Sequence, residues 1–201
     1  MHVMQLLATL QQDDAEANDL ADIIQRDVAL SYKLLRYINS ASISLRKNIE
    51  SLRQAVIILG QNNIKQWASM IALSSIEGKT GELIRTALLR GKMCELLVEA
   101  GGQGNHGSAF MVGLFSTLDA LMGAPLEELL ATLPINRDIK DALLHRKGPY
   151  RNAWKCALAY EQGDWQAVEG AGLSEDIVVS CYFQAVEWCD NSTRQLFQEV
   201  S

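Results

Sequence analysis

Apolar residues recur along most of the chain at the three- and four-residue spacing that places them on one face of an α-helix. The spacing is clearest in residues 52–59, 64–71 and 177–188. No run of residues alternates between apolar and polar in the way that a half-buried strand requires. The apolar positions that define the three helical faces are Leu52, Ala55, Val56, Leu59, Ile64, Trp67, Ala68, Ile71, Ile177, Cys181, Ala185 and Trp188.

Two of these stretches begin with residues that are typical of helix N-termini. Ser51 is followed three residues later by Gln54, a spacing that predicts a capping box. Ser174 is followed by Glu175 and Asp176, and acidic side chains in a first turn complement the helix dipole. We therefore expect helices to start directly after Ser51 and Ser174.

Glycine and proline mark the breaks between the predicted helices. Gly60 follows the first clear stretch and is expected to end it. The prolines at positions 125, 134 and 149 each fall where one predicted helix gives way to another. The main loop is predicted at residues 101–108, "GGQGNHGS", because glycine suits chain reversal.

The pattern as a whole predicts an all-α fold with about ten helices. We expect residues 1–201 to form a single multi-helix bundle domain, with its core in residues 15–148 and a C-terminal helical extension or subdomain in residues 149–201. Hydrophobic residues make up 48% of the 201-residue chain, which is enough to build a core of this size.

Charge narrows the classes of partner. The net charge of −6 disfavours nucleic acid, which is usually bound by a basic face, and an anionic membrane surface. The N-terminal sequence "MHVMQLLATLQQDD" lacks the basic start and long apolar run of a signal peptide. No stretch has the apolar length that spans a bilayer, so we expect a cytoplasmic protein.

The four cysteines are Cys94, Cys156, Cys181 and Cys189, and none belongs to a C-x-x-C pair. Each stands among apolar residues with a helical pattern. We predict reduced, buried thiols that pack like small hydrophobic side chains.

Short motifs give little support for an enzyme. "GKT" at residues 78–80 resembles the end of a phosphate-binding loop, but Leu73 stands where that loop needs glycine. None of the three histidines, His2, His106 and His145, precedes an aspartate or has the paired spacing of a zinc site. We interpret the first motif as a turn between helices.

One helical face combines ionisable groups that could bind a metal. Asp138, Asp141 and His145 are spaced by three and four residues, so they share a face on which a divalent ion could bind weakly. The alternative is a solvated surface whose histidine lies near the carbonyl end of the helix dipole, and this is the interpretation we favour.

The densest positive stretch, "HRKGPYR", contains Arg146, Lys147 and Arg151 together with the aromatic Tyr150. It can be interpreted as an anion-binding or partner-docking patch. It can also be the exposed end of a helix, where basic residues complement the dipole, and the sequence leaves both open.

Residues 20–60 resemble the HDOD domain, the HD-related output domain of bacterial signalling proteins. The matching segments are "LADIIQRD", "LSYKLLRYINSA" and "SLRQAVIILG". Residues 156–168, "CALAYEQGDWQAV", are similar to a C-terminal segment of proteins that join an EAL-type domain to HDOD. Together the two resemblances cover most of residues 15–170 and imply an HD-like all-α architecture.

The resemblance also implies where a metal site would lie. HD-type enzymes bind metal through separated histidines and an adjacent His-Asp pair. In "MVGLFSTLDALMG", residues 111–123, Ser116 and Thr117 stand at or near the place of that pair, and Asp119 alone does not make a site. We expect Gly113 to let two helices approach closely, and the former site to be packed by three apolar residues, Leu114, Phe115 and Leu118.

The function implied is a non-catalytic signalling output module, without metal or cofactor, that binds a protein partner. That partner could be an EAL-type domain in the same or another chain, which would link the module to cyclic di-GMP regulation. The alternatives are a divergent HD-type phosphohydrolase using Asp138, Asp141 and His145, and a sensor with a small ligand in the former metal cavity.

Six residues are candidate partner contacts. Asn39 has a structural alternative, because asparagine is also favoured at helix ends. Tyr150, Trp165 and Tyr182 are aromatic residues that could be exposed. The six candidates are Asn39, Arg146, Lys147, Tyr150, Arg151 and Trp165.

Overall fold

The computed structural model describes residues 7, 17–26, 28–39, 49–74, 81–102, 104–131, 133 and 135–198. The regular structure of this part of the chain is entirely helical, which confirms the predicted fold class. Twelve helices are described rather than about ten, because several short ones escaped the periodicity analysis. They are α1 (Ala17–Gln25), α2 (Val28–Ile38), α3 (Leu52–Leu59), α4 (Gln61–Ser74), α5 (Gly81–Gly101), α6 (His106–Phe115), α7 (Leu118–Met122), α8 (Leu126–Ala131), α9 (Arg137–His145), α10 (Arg151–Gln162), α11 (Trp165–Glu169) and α12 (Glu175–Gln198).

The chain divides into two compact units. The first contains residues 1–77 and 194–201, and the second contains residues 78–193. Helices α1 to α4 pack against one another in the first unit, and α5, α6 and α10 pack together in the second. The division falls near residues 77 and 194 and not at residue 149, and α10 of the C-terminal segment packs against α5 and α6.

The first predicted helix start is confirmed with a small change in its hydrogen bonds. The Ser51 hydroxyl accepts a hydrogen bond from the Gln54 N–H at 3.2 Å. The Gln54 side-chain oxygen accepts from the N–H of Glu50 at 3.0 Å, whereas in a capping box it would accept from the N–H of Ser51 itself. Gly60 ends this helix with φ of +84°, a conformation that glycine adopts without strain.

The breaks agree with the sequence where the structure describes them. Pro125 and Pro149 lie directly before α8 and close before α10, respectively. Pro134 and the residues of the "GKT" motif lie outside the described residues. The predicted loop at residues 101–108 is shorter than expected, since Asn105 already caps α6 by accepting from the Ser108 N–H at 2.9 Å.

The predicted apolar faces of α3 and α4 are buried apart from the half-buried Leu59. The predicted face of α12 is confirmed at Cys181 and Ala185 and differs only at its two ends. Ile177 is 40% exposed, and the buried stripe starts at its neighbour Val178. One residue turns the helix by about 100°, so the two cannot share a face. The buried side chains on these faces are Leu52, Ala55, Val56, Ile64, Trp67, Ala68, Ile71, Val178, Cys181, Ala185 and Cys189.

Helices α5 and α6 approach one another through glycine. A Cβ atom added to Gly113 would lie 2.6 Å from the Cα of Gly91 and would overlap the carbonyl oxygen of Arg90. A Cβ atom on Gly91 would in turn lie 3.0 Å from the carbonyl oxygen of Phe110. The backbones themselves are therefore in contact, as the sequence predicted for Gly113.

The four cysteines are buried and unpaired, as predicted. Burial raises the pKa of Cys156 and that of Cys189 to about 11. Burial also raises the pKa of the Cys94 and Cys181 thiols. The folded state therefore holds these groups protonated, which makes them poor nucleophiles.

Replacing Gly113 by alanine is expected to lower the free energy of unfolding by about 1–3 kcal/mol or more, because the helices must separate to admit the methyl group. Gly101→Ala provides the control, since a Cβ atom at this last residue of α5 meets nothing within 4 Å. Urea unfolding of both variants tests the prediction. Equal stability of the two would show that the crossing tolerates a methyl group.

Stability is expected to fall as the pH rises through the cysteine range. Thiols in the unfolded chain lose their protons near pH of about 8.5, whereas the pKa of Cys156 in the folded state is about 11. The stabilisation is complete below the lower pKa and is lost as the pH approaches the higher one. Urea unfolding between these limits should show a shallower decline for Cys156→Ala than for the native chain, and identical slopes would contradict the assignment.

Candidate functional site

The residues that replace the expected His-Asp pair lie at the junction of α6 and α7. The Ser116 hydroxyl donates to the carbonyl oxygen of Gly113 at 2.6 Å, and the Thr117 hydroxyl donates to that of Leu114 at 2.9 Å. Both hydroxyls thus donate to carbonyl groups of the last turn of α6, where the regular pattern of helical hydrogen bonds ends.

A guanidinium group lies directly beside this junction. Arg90 of α5 donates from Nη1 to the Ser116 hydroxyl oxygen at 2.7 Å. Its Nε and Nη2 atoms donate to the two carboxylate oxygens of Glu161 at 2.9 and 2.7 Å. The side chains of Arg90 and Glu161 are only 13% and 23% exposed. We refer to Arg90, Ser116 and Glu161 as the Arg90 cluster.

The chemistry of the Arg90 cluster differs from that of a metal site. Arginine offers donors but no lone pair, and its charge is permanent in proteins. A divalent cation beside Ser116 would meet this positive charge at close range. Both oxygens of Glu161 already accept hydrogen bonds, so the carboxylate is engaged in a two-pronged ion pair.

Apolar side chains surround the cluster as the sequence predicted. Leu114, Phe115 and Leu118 are fully buried. Asp119, the carboxylate left over in this segment, is exposed and accepts from the N–H of Ala120 at 2.8 Å. It takes no part in the hydrogen bonds of the Arg90 cluster.

The second group of potential ligands lies on α9. Asp138 and His145 are exposed, and Asp141 pairs with the Nε atom of Arg137 at 3.5 Å. Within the described residues, no three His, Cys, Asp or Glu side chains are arranged so that they could hold a metal ion. His106 is the exposed first residue of α6, and His2 lies outside the described residues.

Asn39 makes hydrogen bonds to the backbone with both the oxygen and the nitrogen atom of its side-chain amide. Its Oδ1 atom accepts from the N–H of Ile49 at 2.7 Å. Its Nδ2 atom donates to the carbonyl oxygens of Leu35 and Ile49 at 2.9 and 2.8 Å. The side chain therefore ties the end of α2 to the segment before α3, which favours the helix-end interpretation over a partner contact. Residues 40–48, which include the rest of the predicted turn, are not described.

Tyr150 is not a surface anchor. It is 5% exposed, its hydroxyl accepts from the N–H of Asn105 at 3.4 Å, and a Cβ atom on Gly104 would lie 3.0 Å from its ring. The ring fills the space beneath the loop between α5 and α6. As a candidate partner contact it was wrong, because a buried ring presents no surface.

The three basic residues next to Tyr150 in the sequence are exposed, so they stay candidates for partner contacts. Arg146, Lys147 and Arg151 are exposed. Arg146 has φ of +54° and is the one non-glycine residue in the described ranges with a left-handed backbone. The Lys147 N–H donates to the carbonyl oxygen of Asp141 at 3.0 Å, so this turn closes the end of α9.

Trp165 is 52% exposed and starts a row of aromatic rings on α10, α11 and α12. Sequence reasoning missed Phe183, the most exposed ring of that row at 64%. It also missed Arg90 and Glu161, because Arg90 is one of six charged residues in α5 and nothing in the sequence distinguishes it from the others.

One cleft of about 250 Å³ lies in the second unit, between the end of α5, the start of α10 and the chain after α11. Sequence analysis placed a hypothetical ligand in the former metal cavity instead, where Leu114, Phe115 and Leu118 are buried. The cleft is lined by Leu97, Val98, Gly101, Pro149, Asn152, Ala153, Cys156, Ala171, Gly172 and Leu173.

Comparison with known proteins identifies the family. The family model described as HDOD domain matches residues 1–131, which is more than half of the chain. The chain therefore belongs to the HDOD domain family, as its three N-terminal segments indicated.

Two curated relatives are considerably longer than this chain. It is 31% identical over 193 residues to the uncharacterized protein YuxH of Bacillus subtilis (strain 168), covering 93% of this chain and 47% of the relative. It is 35% identical over 168 residues to the cyclic di-GMP phosphodiesterase CdgJ of Vibrio cholerae, covering 83% of this chain and 39% of the relative. The chain thus spans less than half the length of either protein.

Solved structures share the fold at low sequence identity. A "Putative signal transduction protein" from Marinobacter aquaeolei VT8 aligns with a TM-score of 0.69 at 15% identity, covering 97% of this chain and 58% of that one. A "Putative metal-dependent phosphohydrolase" from Shewanella amazonensis SB2B aligns with a TM-score of 0.55 at 16% identity, covering 94% and 89%. Among the described helices, none has the length and apolar character that crossing a membrane requires.

The Arg90–Glu161 pair is expected to couple more strongly than a surface pair. A double-mutant cycle with Arg90→Met and Glu161→Gln should give a coupling free energy of about 1–2 kcal/mol, since the pair is shielded and bidentate. The control cycle uses Arg53→Met and Asp22→Asn, whose side chains are 56% and 49% exposed at a 2.8 Å contact. It should give a clearly smaller coupling by urea unfolding, because solvent screens the exposed pair. Equal coupling in the two cycles would contradict the claim that the Arg90–Glu161 pair couples more strongly than a surface pair.

Proposed function

We propose that this chain is a non-catalytic signalling output module that acts by binding another protein. The proposal includes a role in cyclic di-GMP-related bacterial signalling, in the cytoplasm, together with a partner such as an EAL-type domain in the same or another chain. The observation that carries it is the Arg90 cluster, which sets a permanent positive charge beside Ser116.

The physical argument concerns what a hydrolase of the HD type would need at this point. A metal ion there activates water only if lone pairs from several ligands converge on it. Ser116 and Thr117 supply hydroxyls that are already hydrogen-bonded to carbonyl oxygens of α6. Arg90 adds a cation where a second cation would be repelled. These groups favour a structural role for the junction.

The relatives support the signalling context. CdgJ is named as a cyclic di-GMP phosphodiesterase, and this chain matches 39% of its length. A module of that size leaves room in such a protein for a separate domain that performs the hydrolysis. On this proposal the present chain contributes contact and regulation, while the reaction itself belongs to the partner domain.

A divergent metal-dependent phosphohydrolase is the alternative, and the fold of the Shewanella amazonensis protein is the observation that favours it. Its ligands in this chain would be Asp138, Asp141 and His145. The pairing of Asp141 with Arg137 and the exposure of Asp138 and His145 make this a weak site at most.

The purified chain is expected to hydrolyse neither cyclic di-GMP nor bis(4-nitrophenyl) phosphate in the presence of Mg²⁺ or Mn²⁺. Product release followed by chromatography and absorbance, with an EDTA-treated sample as the background, makes the measurement. Calorimetric titration with Mn²⁺ should show no saturable stoichiometric binding.

A metal-dependent turnover that disappears in an Asp138→Asn, His145→Ala variant would establish the alternative instead. Turnover that survives in that variant but disappears in Ser116→Ala would place chemistry at the Arg90 cluster. Either result would contradict the proposed function.

A further inference from the structure

A continuous row of aromatic rings lies on the surface of the second unit. Trp165 of α11 meets Tyr160 of α10 edge to face, with ring centroids 5.3 Å apart. Tyr160 packs against Tyr182 of α12 at 4.6 Å, and Tyr182 contacts Phe183 at 5.9 Å. We call these four residues the aromatic row.

The aromatic row is exposed at both ends. Trp165 is 52% exposed and Phe183 is 64% exposed, whereas Tyr160 and Tyr182 between them are half-buried. Large rings left in water at adjacent positions are costly unless something covers them, and contiguous exposed apolar patches are typical of binding surfaces. Tryptophan and tyrosine are also the residues that most often dominate binding energy at interfaces.

The segment that carries the aromatic row has no basic residue of its own. Residues 156–193 contain seven carboxylates and no lysine, arginine or histidine. This segment therefore carries a formal charge of −7, whereas the rest of the chain, with 18 basic and 17 acidic residues, carries +1.

Only two of the seven carboxylates are neutralised by cations in the described part of the chain. Glu161 pairs with Arg90, and Asp190 pairs with Arg85 at 2.6 Å. The other five form no ion pair with any described residue, and all five are exposed. They are Asp164, Glu169, Glu175, Asp176 and Glu187.

Two of these carboxylates, Asp164 and Glu175, lie close to rings of the aromatic row. Asp164 immediately precedes Trp165 and caps α11 by accepting from the N–H of Ala167 at 3.1 Å. Burial raises the pKa of the Tyr160 phenol, and the neighbouring Tyr182 and the charge of Glu175 raise it further. Exposed rings and unpaired carboxylates thus occupy the same surface.

This combination selects one chemistry of partner. Arginine and lysine are attracted both to aromatic faces and to carboxylates, whereas an acidic or phosphorylated segment would be repelled. The rings form an extended row across three helices, and the tilted packing of Tyr160 on Tyr182 leaves no enclosed cage for one small cation. The surface therefore suits a length of polypeptide rather than a free amine.

We propose that the aromatic row and its carboxylates dock a segment of another protein that carries arginine or lysine next to apolar side chains. The proposal rests on the proposed function and names the chemistry of its partner. The Arg90–Glu161 pair positions the surface, because Glu161 is the residue that follows Tyr160 in α10.

Three labelled helix-forming peptides test the docking surface. They share the same leucine and alanine content, and their remaining positions are arginine, glutamine or glutamate. Fluorescence anisotropy with the intact chain should show the arginine peptide binding at least about tenfold more tightly than the glutamine peptide, with the glutamate peptide weakest. Binding should weaken as salt is added, since the carboxylates are exposed.

Variants with matched controls then locate the binding. Phe183→Ala should lower the affinity for the arginine peptide by about tenfold, and Glu175→Gln should lower it by about twofold to fivefold. The controls are Ile57→Ala, which removes an apolar side chain that is 77% exposed in the first unit, and Glu127→Gln, which removes an exposed carboxylate from the first turn of α8. Neither control should change the affinity.

Failure of this inference is distinguishable from failure of the proposed function. An arginine peptide that binds no better than the glutamine peptide, or that binds Phe183→Ala as well as the native chain, would overturn the docking surface. Neither of these binding results would show that the chain is a hydrolase, so the proposed function would stand. Metal-dependent turnover, in contrast, would overturn the proposed function whatever the peptides do.

Discussion

The contact between the backbones of α5 and α6 is the constraint on which the second unit depends. Two helices can approach so closely only where both lack a side chain, and Gly91 and Gly113 meet that condition. The crossing sets the position of Arg90, which is next to one glycine, and of Ser116, which is three residues after the other. A wider crossing would separate the guanidinium from the hydroxyl that it now contacts at 2.7 Å.

The stability of this helical scaffold has a simple source. Apolar packing by side chains such as Phe110 and Phe115, both fully buried, provides most of the stability. The Arg90–Glu161 pair adds orientation more than energy, because an ion pair loses hydration as it gains Coulomb attraction. Its consequence is geometric, since it holds the end of α10 and with it Tyr160, the second ring of the aromatic row.

Local features of this chain were accessible from the sequence, and features that join distant segments were not. The cap at Ser51 and the buried face of α4 follow from spacing within one helix. The buried face of α12 begins at Val178 and not at the predicted Ile177, because both residues are apolar and spacing alone does not choose between them. The HDOD resemblance supplied the architecture, but it did not indicate that Arg90 and Glu161 lie beside Ser116.

The missed residues show why. Arg90 and Glu161 are 71 positions apart, and no periodic pattern relates them. Tyr150 was taken for an exposed aromatic because it stands in a basic stretch, yet its environment is made by Asn105, 45 positions earlier. Burial and ion pairing of this kind are properties of the packed helices. Arg90 is one of six charged residues in α5, so the sequence gives no sign of which partner it meets.

The account depends most on the claim that the junction of α6 and α7 is occupied by an ion pair and does not bind metal. Paramagnetic broadening of backbone amide signals during titration with Mn²⁺ tests this claim at the level of single residues. We predict no saturable broadening at the amides of Gly91, Ser116 and Thr117. Saturable, stoichiometric broadening centred on Ser116 would contradict the account.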